Sequence, residues 1–98
     1  MKAAWTHKAL LRLQQIHDHI ALDQPGNATT FVDRLTRRAE LIASAPQGGR
    51  VVPQYGRDDI RETYEGEYRI IYRIRQDGID ILTVRHMARL LPKSMGRL

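Results

Sequence analysis

Apolar residues recur at intervals of three and four over two long stretches of the chain, and at intervals of two over much of the remainder. From His7 to about Leu22, Leu10, Leu13, Ile16 and Ile20 fall on one side, with His17 beside Ile16, and Gln14, Gln15 and Asp18 lie between them. That spacing predicts an amphipathic helix, and Thr6 is suited to cap it. Asp23-Gln24-Pro25-Gly26 interrupts the stripe, and Pro25 fits the first turn of a new helix. Ala28, Phe31, Val32, Leu35, Ala39 and Ile42 carry the second stripe to about Ser44. Two helices with so short a connection are expected to pack as an antiparallel hairpin.

The period then changes from helical to alternating. Ala45 to Gly49 ends the second helix, Arg50 to Asp59 reads as a loop, and Ile60 to Tyr64 reads as a strand with a turn at 65–67. Residues 68–75 alternate, with Tyr68, Ile70, Tyr72 and Ile74 on one face and Arg69, Ile71, Arg73 and Arg75 on the other. Gln76-Asp77-Gly78 joins this run to 79–86, which predicts a β-hairpin. Residues 1–5 make a short first strand, residues 87–92 one helical turn, and residues 92–98 a flexible tail. The order is β-α-α-β-β-β, which predicts a single α+β domain over 1–98 with the helical hairpin on a mainly antiparallel sheet. The helices are expected to cover the Tyr68, Ile70, Tyr72, Ile74 face, leaving the arginine face to water or an anionic partner.

Composition sharpens that last point. Thirteen of the sixteen cationic side chains are arginine, and residues 69–98 hold seven cations against two acids within a chain of net charge +5. Arginine presents a planar fork that matches phosphate or carboxylate, so an anionic partner competes with the plainer reading of a solvated basic face. The chain has no cysteine, which excludes disulfides and thiolate metal sites. The N-terminal residues lack the apolar core of a signal peptide, and no apolar run approaches membrane-spanning length. A cytoplasmic protein with no membrane partner, no metal and no cofactor is expected: His17 and His19 face different ways on their helix, and Gly48-Gly49 lacks the lysine of a phosphate loop.

Metal-free RNA cleavage would need a base, an acid and cations around the phosphorane. Glu62 or His86 could serve as base, His86 as acid, and Arg61, Arg69, Arg73 and Arg89 as clamps. Against that reading, alternation puts Arg61 and Glu62 on opposite faces, Glu62 suits a cross-strand ion pair with Arg69 or Arg73, and a histidine at a strand end often has a structural role. Tyr68 and Tyr72 fall on the core face, which favours packing over base stacking.

The chain resembles the RelE/ParE superfamily of type II toxin-antitoxin toxins. The resemblance rests on Trp5 before an Ala-Leu helix, Pro25 and Phe31 in the helix pair, and the run Pro46-Gln47-Gly48-Gly49-Arg50-Val51-Val52-Pro53. It continues through Ile60-Arg61-Glu62, Tyr68-Arg69-Ile70-Ile71-Tyr72-Arg73 and Ile81 to Arg89. It implies a fold related to small microbial ribonucleases and a growth-inhibiting toxin silenced by a cognate antitoxin, of the kind associated with plasmid stabilization. The RelE-like branch cuts mRNA on the ribosome, which would assign catalysis to Arg61, Arg69, His86 and Arg89. The ParE-like branch poisons DNA gyrase, which would assign target contacts to Arg69, Arg73, Arg85 and Arg89. No tyrosine lies beyond Tyr72 and no lysine between Lys8 and Lys93, so the nuclease branch's C-terminal tyrosine is missing and the resemblance favours the gyrase branch. An acidic, partly disordered antitoxin segment is expected, with Leu90 and Leu91 in its contact.

Overall fold

The computed structural model describes residues 2–98; Met1, part of the expected first strand, lies outside the described residues. Strand β1 is Lys2–Trp5, and the Thr6 hydroxyl then accepts the Ala9 N–H (3.1 Å) to start helix α1, His7–Ala21. Helix α2 is Pro25–Ser44 with proline in its first turn. After a 3₁₀ turn at Pro46–Gly48 come β2 (Arg50–Val51), β3 (Ile60–Glu65), β4 (Tyr68–Arg75) and β5 (Gly78–His86), and a second 3₁₀ turn spans Met95–Arg97. The five strands form one sheet in the order β1-β5-β4-β3-β2, antiparallel throughout except that β1 runs parallel to β5. The expected α+β order is present, with the two-residue β2 added. No helix among the described residues is long and apolar enough to cross a membrane.

The helical hairpin packs on the face that alternation assigned to it. Ile70, Tyr72, Ile79, Ile81 and Val84 of the sheet are buried against Ala9, Leu35, Ala39 and Ala43, with Trp5, Ile16, Phe31 and Tyr68 around them. Gly78 is needed because β1 approaches so closely that a Cβ there would strike the Lys2 carbonyl. The hairpin turn is therefore Gln76-Asp77 alone, and the glycine belongs to the strand.

Ile71 pairs with Thr83 but Tyr72 pairs with Ile81, so β5 carries one extra residue, Leu82, in a bulge. The bulge resets the phase of β5: Ile79 and Ile81 before it, and Val84 after it, all reach the helical core. Leu82 is left on the other face, which differs from the solvent-facing surface expected there. Ile71 and Ile60 are fully buried on that face with Val52 and Leu98, and Tyr55, Leu82, Leu91 and Met95 pack around them. Two expectations are corrected together. Residues 87–92 form a turn and then chain without regular structure in place of a helical turn, and residues 92–98 lie docked across the sheet with Leu98 only 3% exposed. The cause is the spacing of Leu91, Met95 and Leu98, which puts three apolar side chains over Ile60 and Ile71, and their burial favours docking over fraying.

Candidate functional site

The arginine face is assembled by cross-strand register. Arg69 on β4 lies opposite Arg85 on β5 and Tyr64 on β3, and the next row toward the sheet centre is Thr83, Ile71, Glu62 and Arg50. Glu62 is 2% exposed, and its carboxylate accepts from Arg50 Nη2 at 2.9 Å and lies 3.5 Å from Arg69 Nη1. A buried carboxylate between two guanidinium groups is the arrangement that makes its burial tolerable. It also leaves the second guanidinium nitrogen of Arg69 free to reach outward.

What Arg69 reaches is the tail. Its Nη2 donates to the Arg89 carbonyl (2.6 Å), and Arg85 Nη1 donates to the Leu90 carbonyl (3.3 Å). Gln54 Nε2 donates to the Leu91 and Pro92 carbonyls (3.4 and 2.8 Å), and the Tyr55 hydroxyl donates to Pro92 (2.7 Å). Four successive tail carbonyls are thus held by side chains of the sheet face and its flanking loop. Arg69 Nε, Arg85 Nε and Thr83 Oγ1 are nevertheless buried with no hydrogen-bond partner among the described residues. Burial first, and then the neighbouring Arg12 and Arg89 cations, draw the Arg85 guanidinium below its ordinary pKa, while burial pushes the Tyr55 phenol up.

The sequence-based candidates divide between the two faces. Arg73 is committed to Asp80 (3.0 Å), which also pairs with Arg75 (2.8 Å). Arg61 pairs with Tyr72 across the ladder and so lies on the helical side, where it donates to the Gln47 and Gly49 carbonyls (3.0 and 3.1 Å) and bridges to Asp58 (2.9 Å). His86 also lies on the helical side, edge-on to Tyr68 at a centroid distance of 5.2 Å and 3.4 Å from Glu67. Arg61, Arg69, His86 and Arg89 therefore do not converge on one cleft. Leu90 is 90% exposed, whereas Leu91 turns inward to the second apolar cluster. Gln54, Tyr55 and the tail carbonyls were missed by sequence reasoning, because their role depends on where the tail docks. The apolar spacing of Leu91, Met95 and Leu98 was the available signal.

A family profile described as "ParE toxin of type II toxin-antitoxin system, parDE" matches residues 3–91. The chain belongs to the ParE toxin family. Among the relatives of this ParE-family chain is a putative toxin, Y4kP, of Sinorhizobium fredii, 36% identical over 92 residues that cover 91% of each chain. Toxin RelE2 of Caulobacter vibrioides is 30% identical over 89 residues, covering 91% of this chain and 98% of that one. A solved structure titled "Chromosomal ParDE TA system from P. aeruginosa" shares the ParE fold with a TM-score of 0.71 at 24% identity, covering 88% of this chain and 95% of the other. The protein is thus a toxin of a type II toxin-antitoxin system, whose partner is an antitoxin, and the tail-covered arginine face is a feature of this ParE-family chain's own residues.

Proposed function

We propose that this toxin arrests growth by poisoning DNA gyrase, acting through binding and without catalysis, and that a cognate antitoxin with an acidic, partly disordered segment neutralises it. The observation that supports a binding poison is the division of the candidate nuclease residues. Arg61 is tied to the 47–49 backbone and His86 packs edge-on against Tyr68 on the helical side, while Arg69 lies on the opposite face. General acid-base cleavage needs those groups within reach of one phosphate. On this reading Arg85 and Arg89 do most to contact gyrase carboxylates or DNA phosphate, since neither has a carboxylate within salt-bridge distance among the described residues. Arg69 and Arg73 contribute with part of their charge already paired. Of the two leucines expected to meet the antitoxin, Leu90 is exposed for it.

The test sets a gyrase supercoiling assay beside ribosome-dependent mRNA cleavage. Inhibited supercoiling with intact mRNA is expected. Arg85→Ala and Arg89→Ala should each weaken inhibition several-fold, in keeping with modest shares from several charged contacts. Codon-specific mRNA cleavage, lost about a hundredfold or more in Arg69→Ala or His86→Ala, would replace this reading with the ribonuclease one.

A further inference from the structure

Most arginines of the sheet carry their own counter-ion: Arg50 and Arg69 share Glu62, Arg73 and Arg75 share Asp80, and Arg61 has Asp58. Arg12 of α1, Arg85 of β5 and Arg89 have no carboxylate within salt-bridge distance among the described residues. All three line one cavity of about 340 Å³ between α1 and the end of β5, and no aspartate or glutamate lines it with them. Arg89 is exposed and Arg12 and Arg85 are half-buried, so the cations stand at the mouth of the cavity as well as within it.

The three guanidinium groups crowd one another. After burial, it is the Arg12 and Arg89 cations that draw Arg85 below its ordinary pKa. Like charges gathered without an acid repel, and an anion seated among them removes that repulsion. Few of their donors are used within the protein: Arg12 Nη1 donates to Gln15 Oε1 (3.2 Å), Arg85 Nη1 donates to the Leu90 carbonyl (3.3 Å), and the Arg89 guanidinium makes no hydrogen bond among the described residues. A carboxylate would bring one negative charge and two oxygens. A phosphate monoester brings close to two charges and three acceptor oxygens, the better match to three planar donor groups. The cavity's volume lies at the lower end of the range for small-ligand pockets, which is more room than a bare phosphate needs. Beside the cations the half-buried Ile16 and Tyr68 form an apolar wall, and a nucleobase presents a flat apolar face to such a wall.

We propose that this cavity binds a nucleoside 5′-phosphate, with the phosphate among Arg12, Arg85 and Arg89 and the base against Ile16 and Tyr68. The phosphate belongs to a free nucleotide or to the end of a DNA strand, and the chemistry recognised is the same in both. The ligand of Arg85 and Arg89 is thereby narrowed to phosphate, and Arg12, on a different element, joins them. The inference rests on the gyrase reading only for which of the two sources is met in the cell; the site itself is tested without gyrase.

The experiment titrates the full chain, purified free of antitoxin, with deoxyadenosine 5′-monophosphate, deoxyadenosine, inorganic phosphate and a 5′-phosphorylated trinucleotide, read by calorimetry and by amide NMR shifts. The monophosphate is expected to bind at least about tenfold more tightly than either deoxyadenosine or inorganic phosphate, and to shift the amides of residues 12–19 and 84–89. Arg89→Gln, at an exposed side chain with no partner to lose, should keep the parental melting temperature and weaken binding about tenfold, and Arg12→Gln should do the same. Tighter binding of the trinucleotide that is lost with its 5′-phosphate supports the site and assigns it to a DNA end; tighter binding of the monophosphate supports it and assigns it to a free nucleotide. Inorganic phosphate binding as tightly as the monophosphate, no binding of either, or monophosphate binding that survives both substitutions overturns the site and leaves the gyrase reading standing. So does a glutamate-rich peptide that shifts the same amides where the monophosphate does not, which would give the cavity to an acidic protein. Unimpaired supercoiling in the presence of the toxin overturns the gyrase reading and leaves the site standing.

Discussion

At Ile70 and Ile71 adjacent side chains are both fully buried, although they point to opposite faces of the sheet. Alternation along 68–75 made the first legible as core and placed the second among arginines. Nothing local distinguished Ile71 from a lone apolar residue on a wet face, because its cover includes Val52, Tyr55, Leu91, Met95 and Leu98, which lie outside its own hairpin. An unpaired charge at either position would be buried, so Ile70→Asp and Ile71→Asp are each expected to cost several kcal/mol, on the order of 3 or more. Urea unfolding measures this, and a parental midpoint for Ile71→Asp would mean that the second cluster does not hold in solution. Glu62 was legible as a partner for Arg69, but its second partner, Arg50, was not, since the two-residue β2 is too short to leave an alternating pattern.

Among the elements, the helices were the most readable, because stripes of four to six apolar residues recur at one period and Thr6 and Pro25 mark both starts. The parallel pairing of β1 was not, since no turn joins it to β5. The bulge at Leu82 was hidden as well, because it only shifts phase within a run that is apolar on both faces. The β4-β5 hairpin carries its own electrostatic clip in Asp80. Burial pushes the Asp80 carboxyl up, but hydrogen bonds from Arg75 and Arg73 outweigh it and hold the group below its ordinary value. A carboxyl with a depressed folded pKa binds its proton less readily in the folded state than in the unfolded chain. Its contribution is therefore full above the unfolded value, about pH 4, and is lost as pH falls through the lower folded value. The stability of Asp80→Asn should accordingly fall less steeply than the parent's below about pH 4. Thermal melts between pH 2.5 and 7 check this, and parallel acid limbs for the two proteins would remove Asp80 from the account.

On the scale of the molecule, two layers were expected and a third, partial one was found: helices, sheet, and a tail across the sheet's far face. The arginines of the candidate site were legible from charge and alternation, but their cover was not, because docking depends on the combined surface of β3, β4, β5 and the 52–55 loop. Since the tail covers this face, with the Arg89 carbonyl on Arg69 Nη2 and the Leu91 and Pro92 carbonyls on Gln54 and Tyr55, an anionic ligand of Arg69 on that face can bind only the fraction of molecules whose tail has lifted. Its apparent dissociation constant equals the intrinsic one divided by that fraction, so a tail lifted about one hundredth of the time weakens binding about a hundredfold. Leu98→Ala, which touches no arginine, should then lower the melting temperature and yet tighten binding to the target severalfold. If titration against gyrase instead gives weaker binding for Leu98→Ala, the tail belongs to the contact. In the first case, toxin strength is set by an equilibrium within the toxin, and the methyl groups at residue 98 can tune it severalfold without altering a single residue that meets the target.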